Sequence, residues 1–371
     1  MIYLDHAATT PLRREALEAM LPYFCDHYAN ASGSYGAARQ ARRAMDDARG
    51  QIAAAIGAKK NEIYFTSGGS EADNWALLGA VRASGKRRIV TTAIEHHAVL
   101  ECCRNLEGLG FEVAYAPVDA SGCVSAEEIR RLVTQDTAVV SVMLANNEVG
   151  TIQPVAEIAA AAHACGALVH TDAVQAVGHI PVDVDALGVD LLSMSAHKFG
   201  GPKGVGALYM RGGVRLDRLI FGGAQEKSMR AGTENIPAIV GMGEAIRLAV
   251  SGMPRASLRT ASLRDSLQER IVRELPGVRV NANAACRLPG HLHLSIDHMD
   301  ANLLLMRLDM EGIAASSASA CAAGAMERSH VIRAMGIAQE GQADLRLTLG
   351  DKNTEEEIEW TVSALKRILL K

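Results

Sequence analysis

Leu191-Leu192-Ser193-Met194-Ser195-Ala196-His197-Lys198-Phe199-Gly200-Gly201-Pro202-Lys203-Gly204 is the stretch on which the reading of this chain turns. An apolar, strand-like run ends in Ser-Ala-His-Lys, and a glycine/proline turn follows at once. A lysine at the end of a buried strand is costly unless it is paired or used. One use is a Schiff base, in which a desolvated amine attacks a carbonyl. Ser195 and His197 set a hydroxyl and an imidazole beside the lysine, donors suited to a phosphate. The plain alternative is a surface lysine at a strand exit, and this stretch alone does not choose between the two.

The 371 residues are enough for one large and one smaller domain. Apolar residues make up 49% and aromatics only 4%, so the core is built from Ala, Leu, Val and Ile. With 22% charged residues and a formal net charge of −4, nothing suggests general affinity for nucleic acid or membranes. Lys59-Lys60 and Lys86-Arg87-Arg88 read as solvated loop ends. No basic segment followed by an apolar one opens the chain, so no signal peptide is expected. No apolar stretch of about 18 residues is evident, so no membrane span is expected. The cysteines (Cys25, Cys102, Cys103, Cys123, Cys165, Cys286 and Cys321) are odd in number and scattered, with no Cys-x-x-Cys pair. That argues against a disulfide framework or structural zinc and fits a reducing cytoplasm.

Outward from the lysine, strand-like and helical segments alternate from 63 to 210, which predicts a mostly parallel, doubly wound sheet. Asp5–Pro11 is a turn of small residues that lets a ligand approach. Residues 13–28 and 37–57 have helical spacing. Ile63–Thr66 is a strand, and Ser67-Gly68-Gly69-Ser70 turns from it into a helix. A glycine-rich turn at a helix N-terminus makes a phosphate site, although Ser70 as an ordinary cap is the simpler alternative. Neither the P-loop nor the dinucleotide fingerprint is present. Strand 88–92 leads to Glu95-His96-His97, where an imidazole could stack on a flat ring or merely cap the helix 98–109. No metal site is expected from these histidines, nor from His291 and His293.

Strand 139–144 ends in Asn146-Asn147-Glu148-Val149-Gly150. Strand 167–171 delivers Asp172, with Gln175 three residues on. A carboxylate there could pair with the pyridinium nitrogen of pyridoxal phosphate, the usual carbonyl partner of such a lysine, and keep the ring an electron sink. Gly222–Asn235 is a long polar loop. Helices are expected at 237–250 and 256–274, followed by a second α/β unit. That unit contains Ala314–Ala325, rich in Ser, Ala and Gly, with little to bury and therefore expected to be mobile. Cys321 in such a segment is exposed enough to react. The bland alternative is a helix start with an incidental thiol.

Together these pieces resemble fold-type-I pyridoxal-phosphate enzymes of the class V aminotransferase superfamily, and within it the cysteine desulfurases of NifS/IscS type. The matching stretches are Tyr3–Pro11, Thr66–Glu71, Glu95-His96, Asn146–Gly150, Asp172–Gln175, Ser195–Lys198, Arg230–Thr233, Ser316–Cys321 and Arg346–Gly350, in the family's order along the chain. The resemblance implies a large cofactor-binding domain at 13–250 with a mostly parallel seven-stranded sheet. A small domain made of 1–12 and 251–371 would carry the cysteine loop.

By the same resemblance Lys198 forms the Schiff base and acts as base, while Asp172 pairs with the pyridinium nitrogen. Gln175 bonds the phenolic oxygen and His96 stacks on the ring as a further acid/base. Gly69, Ser70, Ser195 and His197 hold the phosphate, joined by Thr233 from the second subunit of a homodimer. Asn147 and Arg346 clamp the carboxylate of L-cysteine. Cys321 takes the sulfur as a persulfide and passes it to an acceptor protein for iron–sulfur clusters, thiolated tRNA or thio-cofactors. Against the family pattern, His6 stands where Asn is common and Tyr35 where His is frequent. Ala318 replaces a glycine, and Met326-Glu327-Arg328 replaces Leu-Glu-Pro, which bears on loop flexibility and partner choice. A related selenocysteine or cystine lyase and a non-catalytic scaffold are the alternatives.

Overall fold

The structure, a computed structural model, describes residues 1–282, 286–317 and 328–370. Its strands are β1 (Ile2–Tyr3), β2 (Ile63–Thr66), β3 (Arg88–Thr92), β4 (Glu112–Ala116), β5 (Thr137–Ser141), β6 (Leu168–Asp172), β7 (Leu191–Ser195), β8 (Gly206–Met210), β9 (Val278–Asn281), β10 (His291–Asp297), β11 (Ile313–Ala314) and β12 (Gln342–Thr348). Its helices are α1 (Arg14–Met20), α2 (Pro22–Cys25), α3 (Gly36–Ala55), α4 (Gly69–Ser84), α5 (His97–Gly108), α6 (Ala126–Leu132), α7 (Val155–His163), α8 (Val184–Leu187), α9 (Ile236–Glu274), α10 (Ala301–Met310), α11 (His330–Ala334) and α12 (Glu355–Leu369).

The main sheet has seven strands in the order β2-β8-β7-β6-β5-β3-β4. β4, β3, β5, β6 and β7 are parallel neighbours, and β8 runs against both β7 and β2. One face is covered by α3, α6, α7 and α9 through Ile52, Ile129, Ile158 and Met242. The other is covered by α4 and α5 through Trp75, Leu77, Val99 and Leu106. Helices on both faces explain why β2, β5, β7 and β8 are buried along their whole length. The chain steps outward from β3 to β4, then returns past β3 to β5, β6 and β7. That reversal opens a crevice at the strands' carboxyl ends, where open α/β sheets bind ligands.

A second core gathers around the antiparallel sheet β12-β10-β9, with Leu267, Leu294, Leu308, Leu345 and Leu365. β1 pairs in parallel with β11 and buries Leu4 in this core, so the first residues pack with the last hundred.

Two helical expectations change. Residues 13–28 form two short helices, because Pro22 opens the second one. The two helices expected at 237–250 and 256–274 form one 39-residue helix, α9 (Ile236–Glu274), that continues through residues 251–255, Pro254 included. Its first half buries Ile239, Met242 and Ile246 in the large core, and its second half buries Leu263, Leu267 and Ile271 in the small one. Burial at both ends holds the helix across a residue that would stop an isolated one. An 18-residue window of α9 has a mean hydropathy of 1.3, long and apolar enough by composition to cross a membrane, yet half of it is buried inside the protein. That apolarity is the core-facing stripe of a helix packed against α1 and α3.

Candidate active site

Four strand ends supply the crevice. After β7, one turn of 3₁₀ helix (Ala196–Lys198) lifts Lys198 off the sheet. Its Nζ donates to the carbonyls of Ala7 at 2.5 Å and Ala8 at 2.9 Å. Gln175 Nε2 donates to the Ala7 carbonyl as well, at 2.9 Å. Thr9 Oγ1 lies 3.1 Å from His197 Nδ1, and Thr10 Oγ1 donates to the His197 carbonyl. The small-residue turn is therefore a strap laid directly over the lysine. Burial, then Lys198 and Lys203, push the His197 imidazole down to about 4, so it is neutral at pH 7.

β6 ends at the buried Asp172, whose Oδ1 accepts from the Val174 N–H at 2.9 Å. Burial raises its pKa, and His96, the Val174 N–H and Lys198 oppose that rise. Beyond β3, His96 is the N-cap of α5, with Nδ1 accepting from the Ala98 N–H at 3.1 Å. The capping and the stacking readings are thus compatible. A ring capped through Nδ1 carries its neutral-form proton on Nε2. Burial lowers the His96 pKa, against the pull of Asp172 and with the help of Lys198 and His97.

Beside Lys198 is a cup of about 390 Å³ lined by Gly68, Gly69, Ser70, Ser195, His197 and Lys203 among others. Gly68 caps α4, and Ser70 sits in its first turn instead of capping it. The helix's first N–H groups and positive dipole end serve the cup. Glu71, the acid of that turn, is neutralised: it accepts from the Ser67 N–H and forms a two-pronged pair with Arg230 at 2.9 and 3.0 Å. Those bonds hold it below the usual carboxylate range despite burial. A Cβ on Gly69 would stand 2.7 Å from Val174 Cγ2. Hydroxyls, a helix start, an amine, a flat imidazole and a buried carboxyl are the donor set that the phosphate, aldehyde, ring and pyridine nitrogen of pyridoxal phosphate require, so the residues fit that group.

Gly206 on β8 packs against the backbone of Gly68, which lines the cup. A Cβ there would lie 2.6 Å from the Met194 carbonyl and 2.8 Å from Gly68 Cα, both backbone. Gly206→Ala should cost about 1–3 kcal/mol of stability and weaken pyridoxal phosphate binding, read by thermal melting and by cofactor titration. Unchanged melting and affinity would show that the backbone here can shift.

Across the crevice, Arg346 on β12 donates through Nη2 to Asp5 Oδ1 at 2.7 Å and through Nη1 to the Asn147 carbonyl at 3.0 Å. Its Nε is buried without a hydrogen-bond partner among the described residues. Asn146 Oδ1 accepts from the N–H groups of Glu148 and Val149, and its Nδ2 donates to the Ile94 carbonyl, which fixes the loop bearing Asn147. Glu148 is buried, pushed up to about 7 by burial, and accepts from Ser329 Oγ. Cys321 and Ala318 lie outside the described residues. The chain on either side is fixed beside Arg346: Ser316 bridges to it through backbone hydrogen bonds, and Ser329 holds Glu148. Thr233 is exposed and does not line the cup.

The comparisons with known proteins cover the whole of this crevice. The aminotransferase class-V family profile matches residues 2–360. The chain belongs to the class-V aminotransferase family. Among curated members of that family, a protein named cysteine desulfurase IscS from Methanosarcina thermophila is 46% identical over 374 residues, covering 100% of this chain and 92% of its own. The cysteine desulfurase IscS of Dictyoglomus turgidum is also 46% identical, covering 100% and 95%. A solved NifS-like protein superposes with a TM-score of 0.94 at 38% identity, covering 100% of this chain and 99% of its own. A structure described as SspA in complex with cysteine superposes with a TM-score of 0.84 at 35% identity, covering 95% and 100%. The mostly parallel sheet is the one expected from the alternating elements, and its seven strands and class-V fold are those that the resemblance implied.

Sequence reasoning missed several groups at the site. The Ala7 and Ala8 carbonyls that hold Lys198 carry no side-chain signal. The Glu71–Arg230 pair joins residues 159 apart in sequence. Glu95 stands out in the sequence only as the neighbour of His96. It is buried, accepts from Thr92 Oγ1 at 2.7 Å and from the Met143 N–H, and burial drives it up to about 8. Asp73 and His170, buried behind Asp172, had no motif to mark them.

Proposed function

We propose that this chain is a pyridoxal-phosphate-dependent cysteine desulfurase that converts L-cysteine to L-alanine, with the sulfur taken by Cys321. The observation that carries the reading is the convergence of an amine, an imidazole and a buried carboxyl (Lys198, His96, Asp172) from three strand ends, beside a glycine-walled cup suited to a phosphate. Relatives named cysteine desulfurase at 46% identity over the full chain support it. The related SspA structure with cysteine supports the substrate.

Gly69, Ser70, Ser195 and His197 hold the phosphate, and Asp172, Gln175 and His96 hold the ring nitrogen, phenolic oxygen and ring face. Bound there, the cofactor supplies a sink for the electron pair left when a proton leaves the substrate α-carbon. Lys198 Nζ takes that proton. The Ala7 and Ala8 carbonyls, already its acceptors, stabilise the ammonium until the proton is returned. Asn147 and Arg346 hold the substrate carboxylate. The Cys321 thiolate attacks the substrate sulfur as the Cβ–S bond breaks, leaving a Cys321 persulfide. Protonation then releases L-alanine, with His96 Nε2–H a candidate acid. An acceptor protein or a reductant takes the terminal sulfur.

Thr233, exposed and not part of its own cup's lining, suits the cup of a second copy. The exposed Leu21, Phe24, Tyr28 and Phe221 support a homodimer. The purified protein loaded with pyridoxal phosphate should release alanine and sulfide in equal amounts from L-cysteine and a thiol reductant. Pyruvate and ammonia instead of alanine would favour a general C–S lyase. No product from loaded protein would overturn the desulfurase reading in favour of a scaffold.

A further inference from the structure

His170 and Asp172 are two residues apart on β6 and so share one face of the sheet. Their register partners are Ser141 on β5 and Ser193 on β7, which share that face. α4 covers it and brings in Asp73. His170 Nδ1 lies 2.8 Å from Ser141 Oγ, and Nε2 lies 2.9 Å from Ser193 Oγ. Ser193 in turn bears on the Asp73 carboxyl. Asp73 Oδ1 stands 3.6 Å from His170 Nε2, beyond hydrogen-bond reach. All these side chains are buried. The result is a polar chain, Ser141–His170–Ser193–Asp73, running behind the carboxyl assigned to the ring nitrogen.

A carboxylate anion in a dry interior needs its oxygens hydrogen-bonded or paired with a cation. Asp73 Oδ1 is buried with no hydrogen-bond partner among the described residues. His170 is no counter-ion, because burial takes it down to about 3 and leaves it neutral. The site's amine, Lys198, and the His96 imidazole bear on Asp172. We propose that Asp73 is a positioning residue that acts as a neutral, protonated carboxyl at the end of the Ser141–His170–Ser193 chain, so that of these two buried carboxyls only Asp172 carries charge.

The groups facing Asp73 agree. From β6 they are neutral His170 and Asp172, from β7 Ser193, and from beyond β3 Glu95, itself held up to about 8. From α5 comes the Cys102 thiol, pushed up to about 12 chiefly by burial and so protonated. Burial first, then the charge of Asp172, drives Asp73 well above the usual carboxylate range. The inference rests on reading Asp172 as the partner of the ring nitrogen. A second anion beside Asp172, the nearer of the two, would draw the proton from the ring nitrogen back to that carboxylate.

The sign of the stability effect separates a neutral Asp73 from an ionised one. An acid whose folded pKa is raised above its unfolded value of about 3.9 contributes stability at low pH that is lost as pH climbs toward the folded pKa. Asparagine does not titrate. In full-length protein freed of cofactor, the melting temperature of Asp73→Asn minus that of wild type should therefore grow by about 5 °C between about pH 5 and pH 8. A flat difference over that range overturns the proposal, because Asp73 would then be ionised in the fold. The second readout is the dissociation constant for pyridoxal phosphate. Asp73→Ala should weaken it about tenfold, and Asp73→Asn should restore it to within about threefold. Asparagine binding as weakly as alanine, or alanine binding as tightly as wild type, overturns the positioning role. A wild-type protein that takes up no pyridoxal phosphate would sink the proposed function, while the melting series would still decide the state of Asp73.

Discussion

Lys198→Ala lowers alanine release from L-cysteine by about 10³-fold or more, the range expected for losing a positioned acid/base. The substitution also removes two hydrogen bonds that tie Ala7 and Ala8 over the crevice. A fall in activity could then reflect a loosened strap instead of a lost base. Lys198→Arg distinguishes the two. A guanidinium keeps positive charge and N–H donors for those carbonyls, yet it does not deprotonate at working pH. If Nζ is the base, arginine is as inactive as alanine although the strap melts near the wild-type temperature. Solvent deuterium should then no longer enter the α-carbon of L-cysteine in either variant. Arginine retaining more than about a tenth of the activity would move the base elsewhere, with His96 next in reach.

The parts of this site that the sequence makes legible are those whose chemistry and position in an element coincide. A lysine after an apolar strand, an aspartate at the next strand's end and a glycine turn before a helix each announce themselves locally, because ligand sites in such sheets gather at strand ends. What holds those groups is mostly backbone or distant in sequence. The strap over Lys198 works through main-chain carbonyls, which any residue type offers. The Ser141–His170–Ser193 chain depends on strand order, since β5, β6 and β7 become neighbours only when the sheet forms. The continuity of α9 through Pro254 was hidden for the same reason: proline's local preference stops a helix, and two separate cores overrule it. Thr233 illustrates the converse case, a residue named by resemblance that does not line the cup of its own subunit.

Cys321→Ser should remove alanine formation almost completely while sparing the first proton transfer. A serine hydroxyl is far less ionised at neutral pH and far less nucleophilic toward sulfur than a thiol, so the step that breaks the Cβ–S bond loses its attacking group. A fall of about 10²-fold or more in alanine and sulfide is expected, in the range of losing an activated nucleophile. Lys198, Arg346 and Asn147 are untouched, so substrate still binds and its α-hydrogen still exchanges with solvent deuterium. Lys198→Ala has the opposite signature: neither exchange nor product. Comparing the variants therefore orders the two steps without requiring that an intermediate be trapped. Activity equal to wild type in Cys321→Ser would end the persulfide assignment and leave a C–S lyase that frees sulfide directly. Loss of both exchange and product would mean that Cys321 is needed to bind or orient L-cysteine. Its neighbours make that a real alternative, because Ser316 and Ser329 tie both flanks of the segment to Arg346 and Glu148. Retained exchange with lost product is the only result that assigns Cys321 to sulfur transfer alone.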